Sequence, residues 1–166
     1  SRSVRAGWAK RGQWEEPREY ASRWLAANPP SRGVTEGGME AQAAKQLVTL
    51  GSGNHFIEVC IGRGAAVWVV LHSGSRGVGN RLATEHIKVA VRECADKGVQ
   101  LEDPDLAYLT EGTDSFDAYI EDMNWCQKYA LGNREGMMDT VMDQLFRFVD
   151  SGKELSRINC HHNFTQ

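Results

Sequence analysis

Two short runs of β-branched, aromatic and aliphatic residues stand in the first half of the chain: Phe56-Ile57-Glu58-Val59-Cys60 and Ala65-Ala66-Val67-Trp68-Val69-Val70-Leu71. With Gly62-Arg63-Gly64 between them as a turn, they predict a β-hairpin or two neighbouring strands. Elsewhere the apolar positions recur at helical intervals. Trp8, Trp14, Tyr20, Trp24 and Leu25 are loosely helical in spacing up to Asn28-Pro29-Pro30, which breaks a helix. Met39, Ala43 and Leu47 share one face of a short helix predicted over 36–47, ahead of a Gly-Ser-Gly loop. Leu82, Ile87, Ala90, Val91 and Cys94 make a stripe on a helix predicted from about Arg81 to Lys97. Asp103-Pro104-Asp105 marks a loop, after which Thr113 or Asp114 can cap a helix carrying Phe116, Tyr119, Ile120, Met123, Cys126 and Tyr129. The pattern resumes after Gly132-Asn133 with Met137, Met138, Val141, Met142, Leu145 and Phe148, which predicts a further helix ending at Ser151-Gly152. The segment from Ile158 to Phe164 suits a strand that ends in a functional loop.

Strands and helices without strict alternation predict an α+β fold, a mixed β-sheet core with flanking helices. In that arrangement the two methionine-rich helices cover the sheet and the loops at strand ends carry the chemistry. No internal repeat or low-complexity segment interrupts the chain. Its 166 residues, 41% hydrophobic and 25% charged, amount to one globular domain. The net charge of -3 provides no global basic footprint, so any contact with nucleic acid needs a local cluster of positive side chains. Cys60, Cys94, Cys126 and Cys160 form no C-x-x-C pair, a usage that fits a reducing cytoplasm. The longest apolar run, Ala65 to Leu71, is far shorter than the roughly 18 to 20 residues that cross a bilayer.

Candidate chemistry concentrates in three loops. His55 lies beside Gly51-Ser52-Gly53-Asn54, His72 heads Ser73-Gly74-Ser75-Arg76-Gly77-Val78-Gly79-Asn80, and His162 lies in Asn159-Cys160-His161-His162-Asn163. Neutral imidazole is a favoured ligand for divalent transition metals, and loops at strand ends can aim several such side chains at one point. Taken singly, each histidine is better read as a hydrogen-bonding residue near a turn, and it is the occurrence of three in such settings that brings the two readings level. His86, inside a helix, and His161, opposite His162 in an extended segment, read as structural. The second loop follows a strand and precedes a helix, where backbone N–H groups can hold phosphate. It lacks the Gly-Lys-Ser/Thr ending of a P-loop and the glycine order of a dinucleotide-binding turn. Arg76 gives that loop a planar fork of donors suited to phosphate oxygens; its alternative is a solvated arginine. Asn54 and Asn163 each adjoin a candidate ligand, where their amides can donate to an anion or serve ordinary turn chemistry. Glu58 points away from His55 if the strand is regular. Core packing accounts best for Cys60, Cys94 and Cys126.

The segments QLVTLGSGNHFIEV, VLHSGSRGVGN, DLAYLTEGTDSFDAYIEDMNWCQKYALGNREGMM and INCHHNF resemble successive blocks of RtcB RNA ligases, in order, from about Ala41 to Phe164. The first forty residues match less distinctly, and Val48 stands where glycine is expected. This resemblance implies a GTP- and manganese-dependent enzyme that joins an RNA 3′-phosphate or 2′,3′-cyclic phosphate end to a 5′-hydroxyl end, in tRNA splicing and RNA repair. It implies His55, His72 and His162 as manganese ligands, Asn54, Glu58 and Asn163 as nucleotide contacts, and Arg76 as a contact to RNA or GTP phosphate. By resemblance, a histidine attacks the α-phosphorus of GTP, and guanylate passes to the RNA 3′-phosphate before the 5′-hydroxyl displaces GMP. Metal ions suit such a sequence by neutralising phosphoryl oxygens. RNA, and in some settings an archease-like activator, are the partners this implies.

The N-terminal Asp and Cys that complete the family's metal site, and the C-terminal histidine that accepts guanylate, have no counterpart here, and His161 and His162 do not replace the latter. The chain therefore reads as the central portion of a single catalytic domain, expected not to ligate RNA alone. Two other readings stay open on the residues. Three histidines could hold zinc with an open position for water, as in a metal-dependent hydrolase, which needs a general base near His72. Alternatively, Arg76 and the glycine loop could bind RNA without catalysis, with strong salt dependence and no metal dependence.

Overall fold

The computed structural model describes residues 17–149 and 152–161. Along the chain run helices α1 (Pro17–Ala27), α2 (Arg32–Glu36) and α3 (Glu40–Gln46) and strands β1 (Phe56–Ile61) and β2 (Val67–His72). Helices α4 (Arg76–Asp96) and α5 (Asp114–Phe148) follow. The expected α+β class holds, with five α-helices and one two-stranded antiparallel sheet among the described residues. Trp8, Trp14, His162, Asn163 and Phe164 lie outside the described residues.

The predicted hairpin forms with Phe56 opposite His72 and Ile61 opposite Val67. Its turn is closed by a Gly62 N–H bond to the Ala66 carbonyl, 2.7 Å long. The buried core, however, lies mainly among the helices. Tyr20, Val34, Met39, Ala43, Leu47, Leu82, Trp125, Tyr129 and Met137 pack together, while Val59, Ile61, Val67 and Trp68 of the hairpin stay exposed. Met39, Ala43 and Leu47 face the core as their spacing requires, but the helix expected over 36–47 is split. α2 stops at Glu36, and Gly38, at φ 60°, turns the chain into α3. Tyr129 donates from its hydroxyl to the Ala43 carbonyl (2.7 Å), and Tyr20 to that of Gly132 (2.9 Å), so both buried phenols are satisfied.

Three further expectations need correction. The two methionine-rich helices are one, α5, which continues through Gly132-Asn133 for 35 residues and meets the sheet at β2. Thr113 caps it, accepting from the Phe116 N–H at 3.3 Å. α4 starts at Arg76, inside the glycine-rich stretch read as a loop, because Gln46 of α3 accepts from the Gly77 N–H at 3.1 Å. Among the described residues, 152–161 contain no strand. Asp122, 3% exposed, binds α2, α4 and α5 together: it accepts from the Gly33 N–H at 3.1 Å and pairs with His86 Nε2 at 2.7 Å. This confirms a structural place for His86.

Candidate functional site at the open end of the hairpin

Antiparallel pairing brings the start of β1 to the end of β2. His55 immediately precedes β1 and His72 closes β2, so the register sets the two imidazoles side by side with ring centroids 5.9 Å apart. Phe56 stacks on His72 at 5.7 Å. Both histidines line a cleft of about 560 Å³, together with Asn54, Ser73, Gly74, Tyr119, Met123, Cys126, Arg134 and His161. His161, read from the sequence as structural, therefore belongs to the site wall.

Burial, and then the Arg76 guanidinium and His72, hold the His55 imidazole below its ordinary value of 6.5, while the Leu50 carbonyl pulls the other way. The ring is uncharged at neutral pH, as a metal ligand must be. Its Nδ1 is buried without a partner of hydrogen-bonding geometry. Two imidazoles set side by side fit the donor set of a divalent transition metal. Two of the three predicted ligands thus come together, and His162 lies outside the described residues. Among the described residues no group of three or more His, Cys, Asp or Glu converges.

Arg76 takes a different position from the one a phosphate contact would suggest. Its Nε donates to Thr49 Oγ1 at 3.1 Å, and its guanidinium lies over Gly51, where an added Cβ would sit 1.7 Å from Nη1 and 2.7 Å from His55 Nδ1. Only glycine fits at Gly51, which also has φ 97°. Arg76 itself has φ 61°, a left-handed conformation costing about 1–3 kcal/mol that its contacts must offset. Asn54 is exposed on the cleft wall, whereas Glu58, opposite Val70 on β1, lies outside the cleft lining.

The residues that gather these loops escaped the sequence reading. Asn133, fully buried in the middle of α5, accepts from the Thr49 N–H (3.1 Å) and donates to the Thr49 carbonyl (3.2 Å), Ser73 Oγ (3.2 Å) and the Gly74 carbonyl (3.4 Å). Arg134 donates to the carbonyls of Ser73 (3.1 Å) and Cys160 (2.8 Å) and to Asn159 Oδ1 (2.9 Å). Ser73 Oγ donates in turn to the Leu50 carbonyl at 2.9 Å. The available signal was a polar residue four positions from Tyr129 and four from Met137, on the core face of a helix.

Compared with known proteins, residues 4–166 match the profile of the family described as tRNA-splicing ligase RtcB. The chain belongs to the RtcB family. An RNA-splicing ligase RtcB from Escherichia coli is 36% identical over 172 residues, an alignment that covers 94% of this chain and 41% of that protein. A tRNA-splicing ligase RtcB from Pyrobaculum aerophilum is 32% identical over 148 residues, covering 78% of this chain and 30% of the relative. A third, from Methanopyrus kandleri, is 36% identical over 109 residues, which are 54% of this chain and 11% of the relative. The chain thus spans about two fifths of the Escherichia coli relative. Val48, which departs from the glycine expected in an RtcB sequence, has φ 60° and is fully buried. The backbone here keeps a glycine-favouring conformation around a valine, and the side chain fills the space beside Tyr20 and Gly136.

No helix among the described residues is long and apolar enough to cross a membrane.

Proposed function

We propose that this chain supplies the histidine-bearing wall of an RNA ligase site that joins RNA 3′-phosphate or 2′,3′-cyclic phosphate ends to 5′-hydroxyl ends, using GTP and manganese in the cytoplasm. The observation that carries this reading is the meeting of His55 and His72 on one cleft wall, in a chain of the RtcB family. His55 and His72, with His162, would hold manganese, which when bound neutralises phosphoryl oxygens and orients attack.

The chain's own residues do the rest. Asn54 offers amide donors to an anion at the cleft mouth. Arg134 sets a fixed positive charge in the wall; burial lowers the pKa of its guanidinium from the ordinary 12.5. Arg76 contributes charge from behind His55 and helps keep that ring neutral. RNA ends and GTP both present phosphates, for which a locally positive cleft in an acidic chain is the needed feature. Cys126, on the same wall, is not a nucleophile: burial, and then Asp122, push its thiol up to about 12.

Calorimetric titration of the 166-residue chain with manganese, with and without GTP, tests the reading. Manganese binding that GTP strengthens and that His72→Ala weakens is expected. No binding, or binding indifferent to His72→Ala, would refute it. Binding of zinc without any response to GTP would favour a hydrolase instead.

A further inference from the structure

We propose that Asn133 and Arg134 are positioning residues that set the mutual geometry of the three histidine loops. The inference rests on reading the cleft as the ligase site. The two side chains are consecutive on α5 and between them reach every loop that carries a candidate ligand. Asn133 holds the first loop by both backbone groups of Thr49, six residues before His55. It holds the second through Ser73 and Gly74, directly after His72. Arg134 binds the Ser73 carbonyl from the other side and carries the clamp on to Asn159 and Cys160, just before His161 and His162.

These contacts exceed what ordinary packing requires. Backbone groups at Thr49, Ser73, Gly74 and Cys160 lie in irregular segments and have no ladder to satisfy them, so a loop's position follows the side chain that binds it. Arg134 carries a buried positive charge, and among the described residues it donates to neutral acceptors, two carbonyls and an amide. Burying a guanidinium against neutral acceptors costs free energy that a neutral side chain would not. Its planar fork meets each of the three acceptors with a separate nitrogen, Nε, Nη1 and Nη2, a spread that the single nitrogen of a lysine does not have. Asn159 completes the clamp by donating to the Leu131 carbonyl and to Glu135 Oε2, both at 3.1 Å, so the third loop is fixed to α5 on two sides.

The test uses the complete 166-residue chain with Arg134→Lys, which keeps the charge and loses the fork, and Asn159→Ala. The second variant alters a partly buried residue outside the helical core, so it stays informative if the first fails to fold. Two measurements are made: histidine ring resonances by NMR without metal, and manganese affinity by calorimetry. Arg134→Lys is expected to shift the His72 and His161 rings. Asn159→Ala is expected to shift His161 while leaving His55 in place. Each should weaken manganese at least tenfold, as loss of outer-shell support does at metal sites. Ring resonances unchanged in both variants would overturn the inference. So would shifted rings with wild-type manganese affinity, which would mean a purely structural clamp. If the wild-type chain binds no manganese, the ligase reading falls, and the claim that the clamp serves a metal falls with it. Wild-type binding lost in His72→Ala but untouched in both clamp variants would leave the ligase reading standing and remove only this inference.

Discussion

Replacing Gly132 by alanine should destabilise the protein, although the same change in an exposed helix interior stabilises by about 1 kcal/mol. Gly132 lies near the middle of α5, and a Cβ built there would sit 2.3 Å from Trp24 Nε1 and 2.6 Å from Cε2. These are ring atoms, and the ring has little freedom to retreat. The indole packs edge-on against Trp125 at 6.3 Å and Tyr129 at 5.7 Å between centroids. The Gly132 carbonyl also accepts the Tyr20 hydroxyl, so bowing α5 would strain that bond as well. Overpacking of this kind costs about 1–3 kcal/mol, to which an edge-to-face aromatic contact adds about 0.5–1.5 kcal/mol if lost. With each term at mid-range, about 2 kcal/mol plus about 1 kcal/mol set against the propensity gain of about 1 kcal/mol leaves a net loss of about 2 kcal/mol, or a melting temperature lower by about 4–8 °C. Denaturant unfolding at constant m-value measures it. The double variant with Trp24→Leu isolates the cause: without the indole, Gly132→Ala should become neutral or stabilising. A single variant more stable than wild type would refute the packing argument.

Other consequences can be checked directly. Thr113→Ala removes the side-chain cap of α5 and should cost about 1 kcal/mol by denaturant unfolding, with no change expected in the hairpin. In the folded chain at pH 8, exposed Cys160 should react with iodoacetamide while Cys126, with its thiol pushed up to about 12, stays unmodified until unfolding; equal rates would contradict the burial argument. Because the folded state favours the protonated Cys126 thiol, its contribution to stability is full below the ordinary value of 9.0. It is lost as pH rises from there toward about 12, so Cys126→Ala should flatten alkaline destabilisation.

Local signals in the sequence were sufficient for the hairpin, the Thr113 cap and the face of Met39, Ala43 and Leu47, because each depends on neighbours a few residues away. Misread elements had distant causes. Gly132-Asn133 resembles a helix stop, but glycine is there to admit the Trp24 indole, more than a hundred residues earlier in the chain, and asparagine to hold Thr49 and Ser73. The Gly-Ser-Arg-Gly stretch resembles a loop, yet α4 begins within it because Gln46 caps its backbone. His55 and His72 could be nominated by residue type, but their meeting depends on register, which the turn alone did not fix. Arg76 could be singled out by residue type and loop position, whereas its inward turn toward Thr49 and Gly51 could not be read.

The clamp on α5 also bears on the order in which this molecule assembles. Asn133 closes onto Thr49 across 84 residues and onto Ser73 across 60, while the hairpin and the helical turns form from near neighbours. Long loop closures must be completed before such contacts return any free energy, so they come late on the folding path. The mutual geometry of the histidine loops is then expected to be acquired last and surrendered first. Kinetic φ-values near 0 are expected at Asn133 and Arg134, with larger ones in the turns of α4 and α5. A mild denaturant should release the histidine loops to hydrogen exchange while the helices still protect their amides, giving a folded chain with a dismantled site.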